Sequence, residues 1–360
     1  MTPFVYTALP ARIVFDVPVA EALPQEIERL ACSRALLLST PEQAEAVREL
    51  GTKLGVLAAG LFGRATMHTP VSVTEDAVAL ARELGADCVI AVGGGSTIGL
   101  AKAIALRTDL PQIAVPTTYA GSEVTPVIGQ TEGGQKTTQR TLKVLPEVVI
   151  YDVALTLTLP VGLTVTSGMN AVAHAVEALY AQDANPVITL LAEHGITALA
   201  DALPVLAQTA QDRAARADAL FGAWSCGTCL GAVGMSLHHK LCHVLGGSFD
   251  LPHSETHTII LPHALAALLP SLPKVHAILT RALHCKNPAE RLYDIPASLG
   301  AKMALRDIGM PKDGIAKAVR EVFQSSYWMP APVDEATLTR LLINAWNGTH
   351  PMTNAEVVHA

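Results

Sequence analysis

Eight histidines lie between residues 174 and 263, and some of them have the spacing of neighbours on one helix face. Asn170 and His174 are four residues apart, as are His239 and His243, so each pair predicts two side chains that point the same way. His253 follows a Gly-Gly pair in a segment that we expect to be a loop. Imidazoles brought together can hold a divalent metal or move protons, whereas an isolated histidine is more often structural. We interpret four of the eight as structural, namely His194, His238, His257 and His263.

A glycine-rich turn offers a second kind of chemistry. Gly93-Gly-Gly-Ser96 follows an apolar strand and opens a helix. Glycines let a backbone approach a phosphate closely, and a helix N-terminus supplies unbonded N–H groups. The turn does not match G-x-G-x-x-G, because Ile98 stands where the third glycine belongs. The alternative is a tight strand-to-helix turn that needs glycine for its backbone conformation alone.

Hydroxyl side chains follow two other predicted strands. Thr117, Thr118 and Ser122 lie in one loop, which by itself is more often a capped turn than a binding site. Paired with the glycine turn on one sheet edge, this loop would hold the other face of a dinucleotide. Ser39 ends the first strand, where an acidic residue would select against a 2′-phosphate. No acidic residue occurs before Glu42, so the sequence permits both NADH and NADPH.

Two kinds of segment must position these residues. Up to about residue 155, apolar strands alternate with helical patterns, which predicts a parallel sheet covered on both faces. From about residue 160, long Ala- and Leu-rich helical runs replace the strands. We therefore expect an α/β N-terminal domain with Rossmann-like nucleotide binding (1–155) and an all-α C-terminal domain (156–360), with a ligand cleft between them. In the α/β part, the expected strands are 35–39, 88–92, 112–115 and 148–151. The expected helices of the same part are 41–53, 76–84 and 96–107. In the helical part, the expected helices are 168–182, 187–208, 212–230, 232–245 and 257–270.

Composition narrows the possible partners. The 360 residues carry a formal net charge of -7 and no Lys/Arg-rich run, which argues against nucleic acid. The N-terminus lacks the pattern of a signal peptide, and the apolar segment 258–275 contains three prolines, so we expect no membrane span and a cytoplasmic location. The six cysteines are expected to be reduced, with Cys226 and Cys229 as buried thiols.

In combination these motifs resemble the iron-containing alcohol dehydrogenase superfamily, which is related to dehydroquinate synthase. The resemblance runs from about residue 35 to residue 265. Gly93–Ser96 with Lys102 is similar to the family's glycine loop and helix, and residues 116–123 to its second nucleotide loop. The stretch from His239 to His253 is similar to its metal and substrate signature. The resemblance implies a dehydroquinate synthase-like fold, NADH or NADPH as cofactor and a homodimer.

Two departures from the family pattern bear on the chemistry. The family usually has Asp at the positions of Gly99 and Asn170. In the wider family the metal ligands would fall on Asn170, His174, His239 and His253. A neutral amide leaves such a site one unit more positive than a carboxylate does, so we expect any Fe or Zn ion to be weakly held or absent.

At these positions the sequence resembles the maleylacetate reductases, a branch of this superfamily. The resemblance then implies NAD(P)H-dependent reduction of a small dicarboxylate, maleylacetate, to 3-oxoadipate in the degradation of aromatic compounds. It leaves open a metal-dependent dehydrogenase of small alcohols and aldehydes, and a non-catalytic dinucleotide-binding protein.

Each candidate residue receives a role from this resemblance. His243 is the leading proton donor. The catalytic candidates are His243, His174, His239 and His253, and the substrate candidates are Tyr119 and Asn170. The cofactor candidates are Ser39, Gly93, Gly94, Gly95, Ser96, Thr117, Thr118, Ser122 and Lys143. The positions for a weak metal are His174, His239 and His253.

Overall fold

The structure is a computed structural model that describes residues 3–132, 135–324 and 327–351. Its backbone contacts divide these residues into two compact units. One unit is 8–159, and the other comprises 160–351 together with 3–7.

The α/β unit is built on a six-stranded parallel sheet in the order β1-β8-β5-β4-β2-β3. Its strands are β1 (Arg12–Phe15), β2 (Ala35–Leu38), β3 (Ala58–Phe62), β4 (Cys88–Gly93), β5 (Gln112–Pro116) and β8 (Val148–Tyr151). A separate antiparallel hairpin is formed by β6 (Val127–Glu132) and β7 (Gln135–Arg140). The helices are α1 (Val19–Arg29), α2 (Ala44–Leu54), α3 (Val71–Glu83) and α4 (Gly95–Thr108).

Burial explains why these segments form a parallel sheet. Every residue of β2, β4, β5 and β8 is buried, and such continuous apolar runs are typical of strands covered on both faces. The chain passes from β2 outward to β3, and then returns to β4 on the other side of β2. In sheets of this kind, ligands bind beyond the carboxyl ends of the strands at such a reversal.

The second unit consists of nine described helices. They are α5 (Val161–Ala178), α6 (Pro186–Gln208), α7 (Arg213–Ala232), α8 (Leu237–Phe249), α9 (His253–Leu268), α10 (Pro273–Ala282), α11 (Pro288–Ser298), α12 (Gly314–Phe323) and α13 (Glu335–Asn347). Helix α5 packs against α6, α7 and α9. α6 is long and apolar enough to cross a membrane, but helices of this composition also occur in protein cores.

Glycines bring three of these helices close together. A Cβ added to Gly168 of α5 would lie 2.9 Å from the Leu203 side chain of α6. A Cβ on Gly195 of α6 would meet the main-chain oxygen of Gly222 of α7 at 3.2 Å, and one on Gly222 would meet that of Gly195 at 3.1 Å. The backbones of α6 and α7 therefore approach each other at a distance that larger side chains would prevent.

The predicted fold class is confirmed, with differences in detail. Helix α9 begins at His253, with Pro252 before its first turn, where the sequence predicted a loop. Helix α5 begins at Val161, seven residues before the predicted start. The strands β1 and β3, the β6–β7 hairpin, α1 and the helices α10–α13 were not predicted.

Candidate functional site

The glycine turn and the second hydroxyl loop meet at the carboxyl edge of the sheet. Gly93 and Pro116 are partners in the parallel register of β4 and β5. The main-chain N–H of Thr117 donates to the Gly93 carbonyl at 3.1 Å. The side-chain amide of Gln43, which the sequence did not single out, donates to the Thr117 hydroxyl at 3.0 Å. The α/β unit thus brings these loops together.

The start of α4 leaves open space. Gly94 precedes the helix, and a Cβ added there would lie 3.0 Å from the Thr118 side chain. A Cβ added to Gly95 would meet nothing within 4 Å. A phosphate can therefore approach the first N–H groups of α4 on the Gly95 side, where the helix end is electropositive.

Three buried hydroxyls, after β2, in the first turn of α4 and in the loop after β5, lack a hydrogen-bond partner in the described part of the chain. They are the Oγ of Ser39, the Oγ1 of Thr97 and the Oγ of Ser122. Buried polar groups are nearly always hydrogen-bonded, so hydroxyls left open beside a glycine turn fit a polar ligand. The residues at this edge fit the nicotinamide dinucleotide that the fold family implies.

Lys102 holds the second loop to α4. Its fully buried Nζ donates to the carbonyls of Ser122 at 2.6 Å, Thr125 at 2.7 Å and Val127 at 2.9 Å, and lies 2.9 Å from the Thr125 hydroxyl. Burial lowers the pKa of this ammonium to about 7, while the nearby Glu123 acts in the opposite direction. Because an ammonium has only three N–H groups, Lys102 is committed to the loop.

Two sequence predictions fail in this unit. Lys143 forms an exposed ion pair with Asp109, 2.8 Å away, at the C-terminal end of α4. The fourteen residues of α4 span about 20 Å, so Lys143 is far from the glycine turn at the other end. Tyr119 has no exposed surface, whereas a residue that contacts substrate was expected to be exposed.

The four catalytic candidates lie in one cluster of histidines in the helical unit. His174 on α5 and His239 on α8 are buried, with Nδ1 and Nε2 2.9 Å apart. The centroid of the His243 ring lies 6.3 Å from that of His239. The His253 ring contacts the His257 ring, with 4.3 Å between their centroids. His243 and His253 are exposed and form the rim of the cluster.

Three side chains form the floor of this cluster, which the sequence analysis missed. His238 Nε2 lies 3.0 Å from His257 Nδ1 and 3.7 Å from Cys242 Sγ. Burial, followed by repulsion from neighbouring histidines, lowers the pKa of His238 and His257 well below the usual value. Burial thus disfavours the charged form of both rings. Their only sequence signal was their adjacency to the predicted set.

Glu177 connects the cluster to the start of α8. Its carboxylate is fully buried and accepts main-chain N–H groups from Ser236 at 3.0 Å, His238 at 2.8 Å and His239 at 3.3 Å. It also lies 2.6 Å from His239 Nδ1. An anion at a helix N-terminus is favourable. The only local signal for Glu177 is that it lies three residues after His174 on the same helix face, and this spacing does not indicate its contacts with α8.

The arrangement does not fit the metal of the wider family. Both ring nitrogens of His239 are in hydrogen bonds, Nδ1 with Glu177 and Nε2 with His174. Asn170 offers a neutral amide instead of a carboxylate. A metal would have to break the bond between the two histidines and would gain no charge from Asn170, so we assign it no step in the reaction.

Comparisons with known proteins identify the family of the chain. A family model described as iron-containing alcohol dehydrogenase matches residues 10–153, and one described as the C-terminal part of the Fe-containing alcohol dehydrogenase family matches residues 164–346. The chain is 54% identical to a maleylacetate reductase of Rhizobium sp. over 351 residues, 98% of this chain and 100% of the relative. It is 52% identical to one of Sphingobium indicum over 350 residues, 97% and 99% of the two chains. A crystal structure of maleylacetate reductase from Agrobacterium tumefaciens superposes with a TM-score of 0.94 at 53% identity, covering 98% of this chain and 100% of that one.

Proposed function

Because the chain belongs to the iron-containing alcohol dehydrogenase family, whose members are oxidoreductases, we propose that it is an NAD(P)H-dependent maleylacetate reductase. It reduces the carbon–carbon double bond of maleylacetate to give 3-oxoadipate. We also propose that it works as a cytoplasmic homodimer, on the strength of the resemblance alone.

The histidine cluster carries this proposal. It gathers His174, His239, His243 and His253 around a network of hydrogen bonds, with the neutral Asn170 on the same helix face as His174. A plain alcohol dehydrogenase must polarise an isolated carbonyl, for which a Lewis acid contributes several kcal/mol. In maleylacetate the double bond is conjugated to a ketone, so hydrogen-bond donors can stabilise the charge that develops on the ketone oxygen.

The cofactor-binding part of the proposal rests on the α/β unit. Gly93, Gly94, Gly95 and Ser96 would hold the pyrophosphate at the start of α4, and the hydroxyls of Ser39, Thr117, Thr118 and Ser122 would contact the nucleotide. When bound, the reduced nicotinamide supplies the hydride that adds to the substrate carbon β to the ketone. No acidic residue occupies the end of β2, so the sequence permits both NADH and NADPH.

The protein's own side chains complete the reaction. After the hydride is added, negative charge lies on the enolate of the substrate, and His243 donates the proton to the carbon next to the ketone. His243 is exposed at the rim, so solvent can return its proton. His174, His239 and His253 orient the substrate, and Asn170 offers it an amide hydrogen bond.

A spectrophotometric assay tests this function. Purified protein is treated with a chelator, its metal content is measured, and oxidation of NADH and NADPH is followed with maleylacetate as substrate. We expect turnover that does not require added metal. Absence of turnover in every metal state would refute the proposal, and chelator-sensitive reduction of small aldehydes would favour the metal-dependent dehydrogenase instead.

A further inference from the structure

We infer that Glu177 is a positioning residue that fixes which nitrogen carries the hydrogen in both His239 and His174. The inference rests on the proposed function for its consequence in turnover, but its structural part can be tested separately.

The position of the Glu177 carboxylate is set by the main chain of α8. Three main-chain N–H groups at the start of the helix, those of Ser236, His238 and His239, donate to its two oxygens. Each of these N–H groups lacks a partner within the helix. The carboxylate is therefore fixed from a direction that does not involve the imidazoles.

A fixed acceptor determines the hydrogen on His239. Oε2 of Glu177 lies 2.6 Å from His239 Nδ1, and a carboxylate oxygen that already receives main-chain N–H groups acts as an acceptor. Nδ1 of His239 must then carry the hydrogen. A ring that carries a single hydrogen has only a lone pair on its other nitrogen, so in that form Nε2 of His239 is an acceptor.

The same reasoning passes to the next ring. His239 Nε2 lies 2.9 Å from His174 Nδ1, so the nitrogen of His174 that faces it must carry the hydrogen. The lone pair of His174 is thus on Nε2, at the opposite side of its ring. One buried carboxylate gives the chain Glu177–His239–His174 a single direction of hydrogen bonding.

This order divides the work among the histidines. The N–H of His239 is engaged by Glu177 and that of His174 by His239, so neither ring has a second N–H to give to the substrate. The pair forms a rigid wall with an acceptor at its end, and proton donation is left to His243. A buried carboxylate that orients an imidazole is worth orders of magnitude in turnover in other enzymes.

Two substitutions of Glu177 separate its role as a hydrogen-bond acceptor from the effect of its negative charge. In Glu177→Gln an amide oxygen can still accept the His239 N–H, but the charge is lost and an NH₂ group faces a main-chain N–H. Glu177→Leu removes the acceptor altogether. We expect Glu177→Gln to keep kcat within about tenfold, and Glu177→Leu to lower it at least about 100-fold. The cofactor KM should stay unchanged in both.

Nitrogen NMR of the ¹⁵N-histidine-labelled protein supplies the decisive measurement. We expect Nδ1–H signals for His174 and His239 in the wild type, assigned with His174→Gln and His239→Gln variants, and the same signals in Glu177→Gln. Nε2–H signals for these rings in the wild type would overturn the inference, even if Glu177→Leu did not fold. So would a folded Glu177→Leu with normal kcat.

A surface variant provides the control, and wild-type turnover separates the two proposals. Glu193→Gln removes a glutamate that pairs with Arg281 on the surface of the same unit, and it should leave kcat and the histidine signals unchanged. If the wild type fails to reduce maleylacetate but shows the Nδ1–H pattern, the proposed function is wrong and the positioning role of Glu177 stands.

Discussion

Asn170 sets the charge of the histidine cluster. It lies four residues before His174 on the same buried face of α5, where the sequence resemblance implies Asp in the wider family. An amide can donate and accept hydrogen bonds but cannot neutralise a cation. We therefore expect the choice of Asn or Asp at this position to affect how tightly the cluster can hold a divalent metal.

Restoring the carboxylate tests this conclusion. We expect Asn170→Asp to bind Zn²⁺ at least about tenfold more tightly than the wild type, because the added charge offsets part of the ion's own. The same variant should reduce maleylacetate more slowly, since the carboxylate repels a dianion. Metal content after dialysis and kcat/KM measure both effects, and the exposed Asn347→Asp is the matched control. Equal zinc affinity in the wild type and in Asn170→Asp would contradict this account.

The sequence predicted residues in this cluster where the relation is local. The pairs 170/174 and 239/243 follow from helical spacing, and the structure brings His174, His239 and His243 into one cluster. Glu177 was missed because its partners lie 59 to 62 residues away in the chain. No local pattern predicts that contact. Likewise, no pattern indicated that Lys143 pairs with Asp109 at the C-terminal end of α4, opposite the glycine turn.

At the scale of elements, the turn between β4 and α4 makes a testable distinction between folding and binding. A Cβ on Gly95 meets nothing within 4 Å, and alanine is preferred to glycine in a helix. Gly95→Ala should therefore fold as stably as the wild type while weakening NADH binding at least about tenfold, because the methyl group occupies the space proposed for phosphate.

Thermal unfolding and NADH titration by fluorescence measure the two quantities. Gly162→Ala is the matched control, since Gly162 also lies in the first turn of a helix, α5, with nothing within 4 Å of an added Cβ. NADH affinity that is equal in the two variants would argue against phosphate at this turn.

The elements that the sequence predicted are those with strong apolar patterns. β2, β4, β5 and β8 are fully buried, and their runs of Leu, Val and Ile indicate strands. β3 was missed because it is an edge strand whose residues are mostly half-buried, with Gly60 in its middle. His253 was predicted to lie in a loop because a Gly-Gly pair precedes it, whereas a helix begins at this residue.

For the molecule as a whole, buried neutral histidines predict sensitivity to acid. Burial, with a smaller contribution from His350, lowers the pKa of His263 to about 4. Between that value and the ordinary 6.5, the unfolded chain binds a proton that the folded chain does not. The resulting stability is complete above pH 6.5 and is lost as the pH falls towards 4, by up to roughly 3 kcal/mol.

Replacing this histidine should remove that part of the pH dependence. His263→Phe keeps a ring against Tyr293, 6.3 Å away between centroids in the wild type, and has no proton to bind. We expect urea unfolding to show a smaller loss of stability between pH 6.5 and pH 4.5 in the variant, with no change in slope above pH 7. Parallel curves for both proteins over the acidic range would refute the expectation.

The close contact between α6 and α7 reaches further than its own two glycines. Both helices support α5, which carries Asn170, His174 and Glu177. A methyl group at position 195 or 222 would wedge the pair apart, and α5 would have to shift with them. The positions of Asn170, His174 and Glu177 on α5 thus depend on the close approach of α6 and α7, and we expect a side chain at either glycine to disturb the histidine cluster.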